Sequence, residues 1–385
     1  MFFSPPRLHP PLITTDRERD FVRRQIDTLI AGEPRGTARR GAALAPFSIA
    51  LTTVSKAPNF DSYIDVQFPN PNGAPVTARL LADSGNSNMI IPNGEDLVGV
   101  PGYTILGTAQ EPWGCPANVV QGTLQIVATD GGVYAIENCV FYACTGVNSY
   151  GERTANFGMA KIHPWCSSTP WNTPLPGVIL QSPLSYGTDY PYAEIIFEPA
   201  TAMFSSTADV LVRRRSRLVM HATLPSGYTM LSTHPKCAWM TVVPTSFAIG
   251  NTTTGWPGRV WPLIAMIDTG GGPVLLSDPD GFVWPKAWPN TVACPTWCST
   301  SVDCNCIFDP LQISLKAAHG DTPYCYAIKP LDVPPAEWGI TAVMCRKNFY
   351  LEGRQGMNVG GITFLFNRLL IDYAGARIGL APMAP

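Results

Sequence analysis

No stretch of this 385-residue chain stays apolar for the ~18 residues that a membrane-crossing helix needs. Charge is scarce: 14% of the residues are Asp, Glu, Lys or Arg, against roughly 25% in ordinary globular chains. Lys+Arg 26 nearly balance Asp+Glu 28, leaving a net charge of −2. The basic excess of a nucleic-acid binder is therefore missing. Histidine is rare too, with 5 in the chain. His163 and His221 stand near apolar residues and read as structural. No His–Ser or His–Cys pairing has a local signature, which disfavours a covalent hydrolase. The N-terminus, MFFSPPRLHPP, breaks at Pro5 and Pro6 before any export-signal core can form. As written, the chain is expected inside the cell; a signal removed ahead of Met1 would make it secreted.

What is present favours a large β-rich body. The apolar share of 45% and a mean hydropathy of +0.07 suffice for a sizeable core and exclude a disordered or fibrous chain. The length suits two to three domains, or one two-lobed molecule. Pro 38 and Gly 34 together make about a fifth of the chain, and both punctuate short strands and interrupt helices. Cysteine numbers 11, an odd count, so at least one thiol is unpaired within the chain. Cys294, Cys298, Cys304 and Cys306 have the spacing C-x3-C-x5-C-x-C, which fits no zinc knuckle. Disulfide or plain thiols are expected there. No metal and no cofactor are expected.

Residues 1–45 read as an extension. Asp16 to Ile30 places Phe21, Val22, Ile26, Leu29 and Ile30 at helical spacing among charges, which predicts an amphipathic helix. A Gly/Pro/Arg-rich linker follows to Gly41. From Ala45 the pattern changes to short apolar runs bounded by turn residues. SYIDVQF, Asn-Pro-Asn-Gly and PVTARLLA spell strand, turn, strand. GTLQIVA, Thr129-Asp130-Gly131-Gly132 and VYAIENCVFYA repeat it, and the second half continues with WMTVVPTSFAIGN, RVWPLIAMI, LQISLKAA and FLFNRLLIDY. The predicted fold is all-β and mostly antiparallel. The basic run Arg213-Arg214-Arg215 with Arg217 reads as a solvated edge strand. Gly270-Gly271-Gly272 has no following Lys-Ser/Thr, so a phosphate loop is disfavoured.

Two segments look like copies of one another: LLADSGNSNMIIP (Leu80 to Pro92) and IAMIDTGGGPVLLSDP (Ile264 to Pro279). Each runs from apolar residues to Asp, a hydroxyl residue and Gly, then into a second apolar run. Asp83 and Asp268 would leave buried strands, Gly85 and Gly270 would permit a tight turn, and Ser84 and Thr269 could brace the loops. One Asp-Ser-Gly is ordinary turn chemistry; two, one in each half, suggest duplicated lobes meeting at a two-fold axis. Two carboxyls that close share one proton and split their apparent pKa values. Such a couple holds an acid and a base ready to activate water against a carbonyl.

With these residues the sequence resembles the pepsin-like aspartic proteases. NFDSYIDVQFPNPNGAPVTARLLADSG is similar to that family's opening hairpin and first catalytic Asp, and NFGMA (Asn156 to Ala160) to the segment crossing behind it. Trp239 to Asn251, Val333 to Trp338 and Leu369 to Pro382 resemble later family strands, Ile378-Gly379-Leu380-Ala381-Pro382 most specifically. The resemblance covers roughly 46–385. It implies a bilobal body of double-ψ β-barrel lobes, 46–198 and 199–385, with the active-site cleft between them. It implies catalysis by Asp83 and Asp268 and a disulfide from Cys304 or Cys306 to Cys345; residues 1–45 would be either a prosegment-like cover of the cleft or a helix packed outside the barrel. A monomer acting on a peptide or protein substrate is expected.

The departures from the family pattern carry expectations as well. A hydroxyl residue normally follows each Asp-Ser/Thr-Gly; Asn86 and Gly271 stand here. Asn86 can still donate a hydrogen bond and Gly271 cannot, so Asp268 is expected to be the more weakly held carboxyl. For the family's flap Tyr-Gly, Trp113-Gly114 is the candidate, and Ile90 occupies the position of its Trp partner, which predicts an apolar contact between the two. These changes motivate an alternative function, acid/base chemistry on a small molecule such as dehydration, cyclisation or isomerisation. A catalytically silent binder is a third, disfavoured because paired buried carboxyls are costly to keep.

Overall fold

The computed structural model describes residues 44–56, 59–160, 173–187, 189–197, 214–233, 241–249, 252–254, 264–272, 274–277, 291–293, 304–307, 311–316, 324–328, 342–345 and 356–383. The amphipathic helix expected over 16–30, its linker, the segment 333–338, His163, Asn251, Cys294 and Cys298 lie outside them.

Alternation of apolar and polar residues decides the strands. In the opening hairpin, Asn59–Phe68 pairs antiparallel with Val76–Asp83, in a register from Tyr63↔Leu81 to Phe68↔Val76. Ile64, Val66, Phe68 and Leu80 therefore point to one face, and all are fully buried. The turn is closed by Asn70, whose carbonyl accepts the Gly73 N–H at 3.2 Å while its Oδ1 accepts the Asn72 N–H at 3.0 Å. Such side-chain mimicry of a turn is what Asn contributes at these positions. Among the described residues there is no α-helix, only short 3-10 turns such as Gly94–Leu97 and Gly361–Leu365. No helix among them is long and apolar enough to cross a membrane.

The strands form a thirteen-stranded and a ten-stranded sheet. The larger carries the opening hairpin, the long pair Pro116–Val127 and Val133–Cys144, and the C-terminal hairpin Asn367–Asp372 with Arg377–Pro382. Strand Tyr192–Ile196 joins that C-terminal hairpin to Arg214–His221, which in turn pairs with Phe47–Lys56. Hydrogen bonding thus carries strands from both expected lobes into one continuous sheet.

One expectation is corrected here. Within Arg214–His221, the residues from Arg217 on are interior, paired on one side to the strand Phe47–Lys56 and on the other to Tyr192–Ile196, while Arg214–Ser216 pair with Leu51–Thr53 alone among the described residues. Arg217 still reaches solvent because side chains alternate, while its neighbours Ser216 and Leu218 are buried. Arg217 decorates a face of the sheet, not an edge; Arg213 lies outside the described residues.

The same small unit is built twice. In the first half, Asn156–Gly158 runs parallel to the end of Val76–Asp83 and antiparallel to Met89–Ile91. In the second, Gly356–Val359 runs parallel to Ile264–Ile267 and antiparallel to Val274–Ser277. Each unit delivers one aspartate at the end of a buried strand, with a second strand threaded between the two arms of the loop.

Candidate active site

Asp83 and Asp268 are each 7% exposed. Their loops interlock. The Ser84 N–H donates to Thr269 Oγ1 at 2.9 Å, and the Thr269 N–H donates to Ser84 Oγ at 2.9 Å. Each hydroxyl passes its own proton across as well, Ser84 to the Ile267 carbonyl at 3.0 Å and Thr269 to the Ala82 carbonyl at 2.9 Å. The bracing role expected for these hydroxyls is thus reciprocal across the two halves.

The glycines matter for space. Neither Gly85 nor Gly270 adopts a positive φ, so the expected tight-turn role is replaced by close approach. A Cβ on Gly85 would lie 2.6 Å from Asp268 Oδ1, and one on Gly270 would lie 2.9 Å from Asp83 Oδ1. Each backbone N–H also holds its own aspartate, Gly85 to Asp83 Oδ1 at 2.8 Å and Gly270 to Asp268 Oδ1 at 3.0 Å. The Oδ1 oxygens are therefore the inner pair, each against the glycine of the other loop.

Burial pushes both carboxyls up, and Asp83 goes well above the usual carboxylate range because the charge of Asp268 lies beside it. Burial raises Asp268 as well, but hydrogen bonds oppose the rise, that from Asn358 foremost. The pair thus titrates as a couple in which a proton is retained more readily than on free aspartates.

The support of Asp268 differs from the sequence expectation. Gly271 offers no hydroxyl, yet Asp268 is not weakly held: Asn358 Nδ2 donates to its Oδ2 at 2.6 Å. On the other side, Asn86 turns its Oδ1 to the Asn88 N–H at 2.9 Å, and the side chain that works to lower the Asp83 carboxyl is that of Asn156. Sequence reasoning passed over both Asn156 and Asn358. The available signal was their shared setting, Asn-Phe-Gly and Asn-Val-Gly, once in each half.

Trp113 and Gly114 lie at the tip of the hairpin formed by Thr104–Gln110 and Pro116–Val127. Gly114 takes φ +94 and donates its N–H to the Glu111 carbonyl at 2.9 Å, a left-handed turn position that favours glycine. The Trp113 side chain is 39% exposed. Ile90 is fully buried and meets the hairpin through Cys115, Ala117 and Val119. The predicted apolar contact is made by the tip end of the hairpin's second strand, with Trp113 outside that cluster. Glu111, a further residue the sequence reading missed, organises the tip. Its buried carboxylate accepts the Trp113 N–H at 2.9 Å, the Cys115 N–H at 2.6 Å and the Thr154 hydroxyl at 3.2 Å.

Among solved structures, the aspartic proteinase from Irpex lacteus superposes with a TM-score of 0.59 over 88% of this chain and 98% of its own, at 14% identity. The fold is pepsin-like. No protein-family model matches the chain, and no curated protein does. On this pepsin-like scaffold the two interlocked loops present the aspartates as a facing pair. Of the cysteines tied to the expected disulfide, backbone register sets Cys304 opposite Cys345 and Cys306 opposite Val343. Cys115, Cys139, Cys144 and Cys325 are free thiols. Among the described residues no group of His, Cys, Asp and Glu is arranged to hold a metal ion.

Proposed function

We propose that the chain is an aspartic endopeptidase in which Asp83 and Asp268 share one proton and activate a water between them. The observation that carries this reading is the duplicated unit, which brings two buried carboxyls face to face with their inner oxygens against each other's glycine loops. In the couple, the charged carboxyl takes a proton from water as it attacks the peptide carbonyl. The protonated carboxyl gives its proton to the carbonyl oxygen, forming a tetrahedral diol. Collapse returns a proton to the leaving amine, and the carboxyls exchange roles. Ser84, Gly85, Thr269 and Gly270 hold the loops in register, Asn86 and Gly271 follow the two motifs, and the Trp113-Gly114 hairpin supplies a cover for an extended peptide. The small-molecule alternative drew on the missing hydroxyl support, the altered flap and the missing export signal, and the Asn358 amide on Asp268 answers the first of these.

The test is hydrolysis of an unfolded protein across about pH 2.5 to 7.5, with and without a statine-type inhibitor, beside D83N. Inhibitor-sensitive cleavage lost in D83N is the expected result. A folded protein that cleaves nothing at any pH, or a D83N variant that still cleaves, would overturn the reading.

A further inference from the structure

Asn156 and Asn358 hold equivalent places in the two halves. Asn156 pairs in parallel register with Leu81, and Asn358 with Met266, each two residues ahead of its aspartate. Both begin an Asn-apolar-Gly run, and both are buried, at 2% and 1% exposure. Asn358 Nδ2 donates to Asp268 Oδ2 at 2.6 Å. Asn156 Nδ2 donates to the Asn88 carbonyl at 3.2 Å, and from that place its side chain works to lower the Asp83 carboxyl against the rise that burial causes. A Cβ on Gly271 would lie 3.0 Å from Asp268 Oδ2. The absent residue-271 side chain and the Asn358 amide are therefore alternatives for one oxygen.

We propose that Asn156 and Asn358 are a duplicated pair of positioning residues, which replace hydroxyl support of the aspartates with carboxamide donors and keep the shared proton off the outer oxygen of Asp268. This deepens the peptidase reading and rests on it.

The chemistry follows from donor inventory. A serine or threonine hydroxyl can donate to an ionised oxygen or accept from a protonated one; an amide N–H only donates. A carboxyl oxygen facing an amide N–H is favoured in its charged form. With Asp268 Oδ2 so engaged, the proton of the couple is left to the inner Oδ1 atoms and to Asp83. Charged competitors are few. Among the described residues, the ionisable group acting on either carboxyl is the other aspartate, and the remaining partners are the Gly85, Gly270 and Gly271 N–H groups and the two amides. The burial of Asn358 leaves its Oδ1 without a partner among the described residues, an arrangement that stability alone would not favour.

The test uses N358L and N358V, which fill the site differently and leave no side-chain donor, with N156L reporting on the other half. Removing a donor from a charged carboxyl raises its pKa. The pH profile of kcat/KM for peptide hydrolysis is therefore expected to move upward by about one unit in both Asn358 variants, with kcat falling about tenfold or more and KM nearly unchanged. Carboxyl carbon NMR titration of the couple, assigned against D83N and D268N, is expected to show the same upward move without requiring any substrate. A shift in only one of N358L and N358V would indicate packing and overturn the proposal, as would titration curves that coincide with those of the parent. If the parent cleaves no peptide while the NMR shift appears, the peptidase reading falls and the positioning role stands. If the parent cleaves and the titration is unmoved, the positioning role alone falls.

Discussion

Ser84 and Thr269 each accept the other's backbone N–H, at 2.9 Å in both directions, although 185 positions separate them in the chain. Each hydroxyl also donates its proton to a carbonyl of the opposite half. Thr269 is fully buried and Ser84 1% exposed, so water cannot replace a lost partner. T269V keeps the volume and strands the Ser84 N–H and the Ala82 carbonyl. At about 1–3 kcal/mol for each buried group left unsatisfied, the cost is expected to be roughly 2–4 kcal/mol. T269S should recover most of it. Urea unfolding of the two variants beside the parent checks this, and near-equal stabilities for T269V and T269S would refute it.

G85A and G270A are expected to abolish turnover. An added Cβ would stand 2.6 Å from Asp268 Cγ in the first case and 2.8 Å from Asp83 Cγ in the second. Those contacts are far inside van der Waals distance, so the couple must be pushed apart. The effect should appear in kcat with KM affected less, because the displaced atoms are the reacting ones. A variant with half the parental kcat would show that the facing geometry is not required.

Local and non-local information separate cleanly in this chain. The two Asp-Ser/Thr-Gly motifs and the hairpin ahead of the first are contiguous, so alternation and turn chemistry reveal them. The role of Asn358 depends on a parallel pairing that sets it beside Met266, and the two residues lie far apart in the chain. Asn beside a Phe-Gly or Val-Gly reads as an ordinary turn residue until that pairing is known. Glu111 was similarly opaque: one acid before a Pro-Trp-Gly turn gives no hint that three donors converge on it. Arg217 reads locally as part of an edge because nothing near it in the chain announces that Ala50 and Ile196 flank it.

Glu111 gives a prediction about the hairpin tip. E111A removes the acceptor of the Trp113 and Cys115 N–H groups and of the Thr154 hydroxyl. The tip should open more often, which hydrogen exchange of residues 110–116 would register as lost protection. If the hairpin covers substrate, KM should rise several-fold while E111Q, which keeps one acceptor oxygen, lies between. Unchanged protection in E111A would show that the backbone bonds of the hairpin suffice alone.

The register of Cys304 against Cys345 leads to a redox expectation. Directly paired antiparallel residues have Cα atoms about 4.5–5.5 Å apart, within the range a disulfide accepts. Oxidised protein should therefore yield a Cys304–Cys345 cross-linked peptide on digestion and mass analysis. A Cys306–Cys345 link would mean that the register Cys306↔Val343 slips.

Stability should fall on both sides of an intermediate pH, for two separate reasons. Burial pushes Glu194 up, but the His221 ring at 2.8 Å, the Tyr228 hydroxyl and Arg368 at 3.2 Å outweigh it and hold its carboxyl below the ordinary value. A carboxyl depressed in the folded state contributes stability above its unfolded pKa, and that contribution disappears as pH falls through the folded value. Replacing it by E194Q should thus cost most near neutrality and least in acid. The couple behaves in the opposite sense. Asp83 is raised well above its unfolded value, so the folded state holds its proton more tightly and stability is lost as pH climbs from the unfolded value towards the raised one. D83N removes that loss, and the variant should be more stable than the parent at neutral pH, with the gap closing in acid. Unfolding curves for parent, D83N and E194Q at several pH values check both signs. A D83N advantage that does not shrink as pH falls would mean that the carboxyls do not share a proton in the folded state, and the mechanism built on that proton would fail with it.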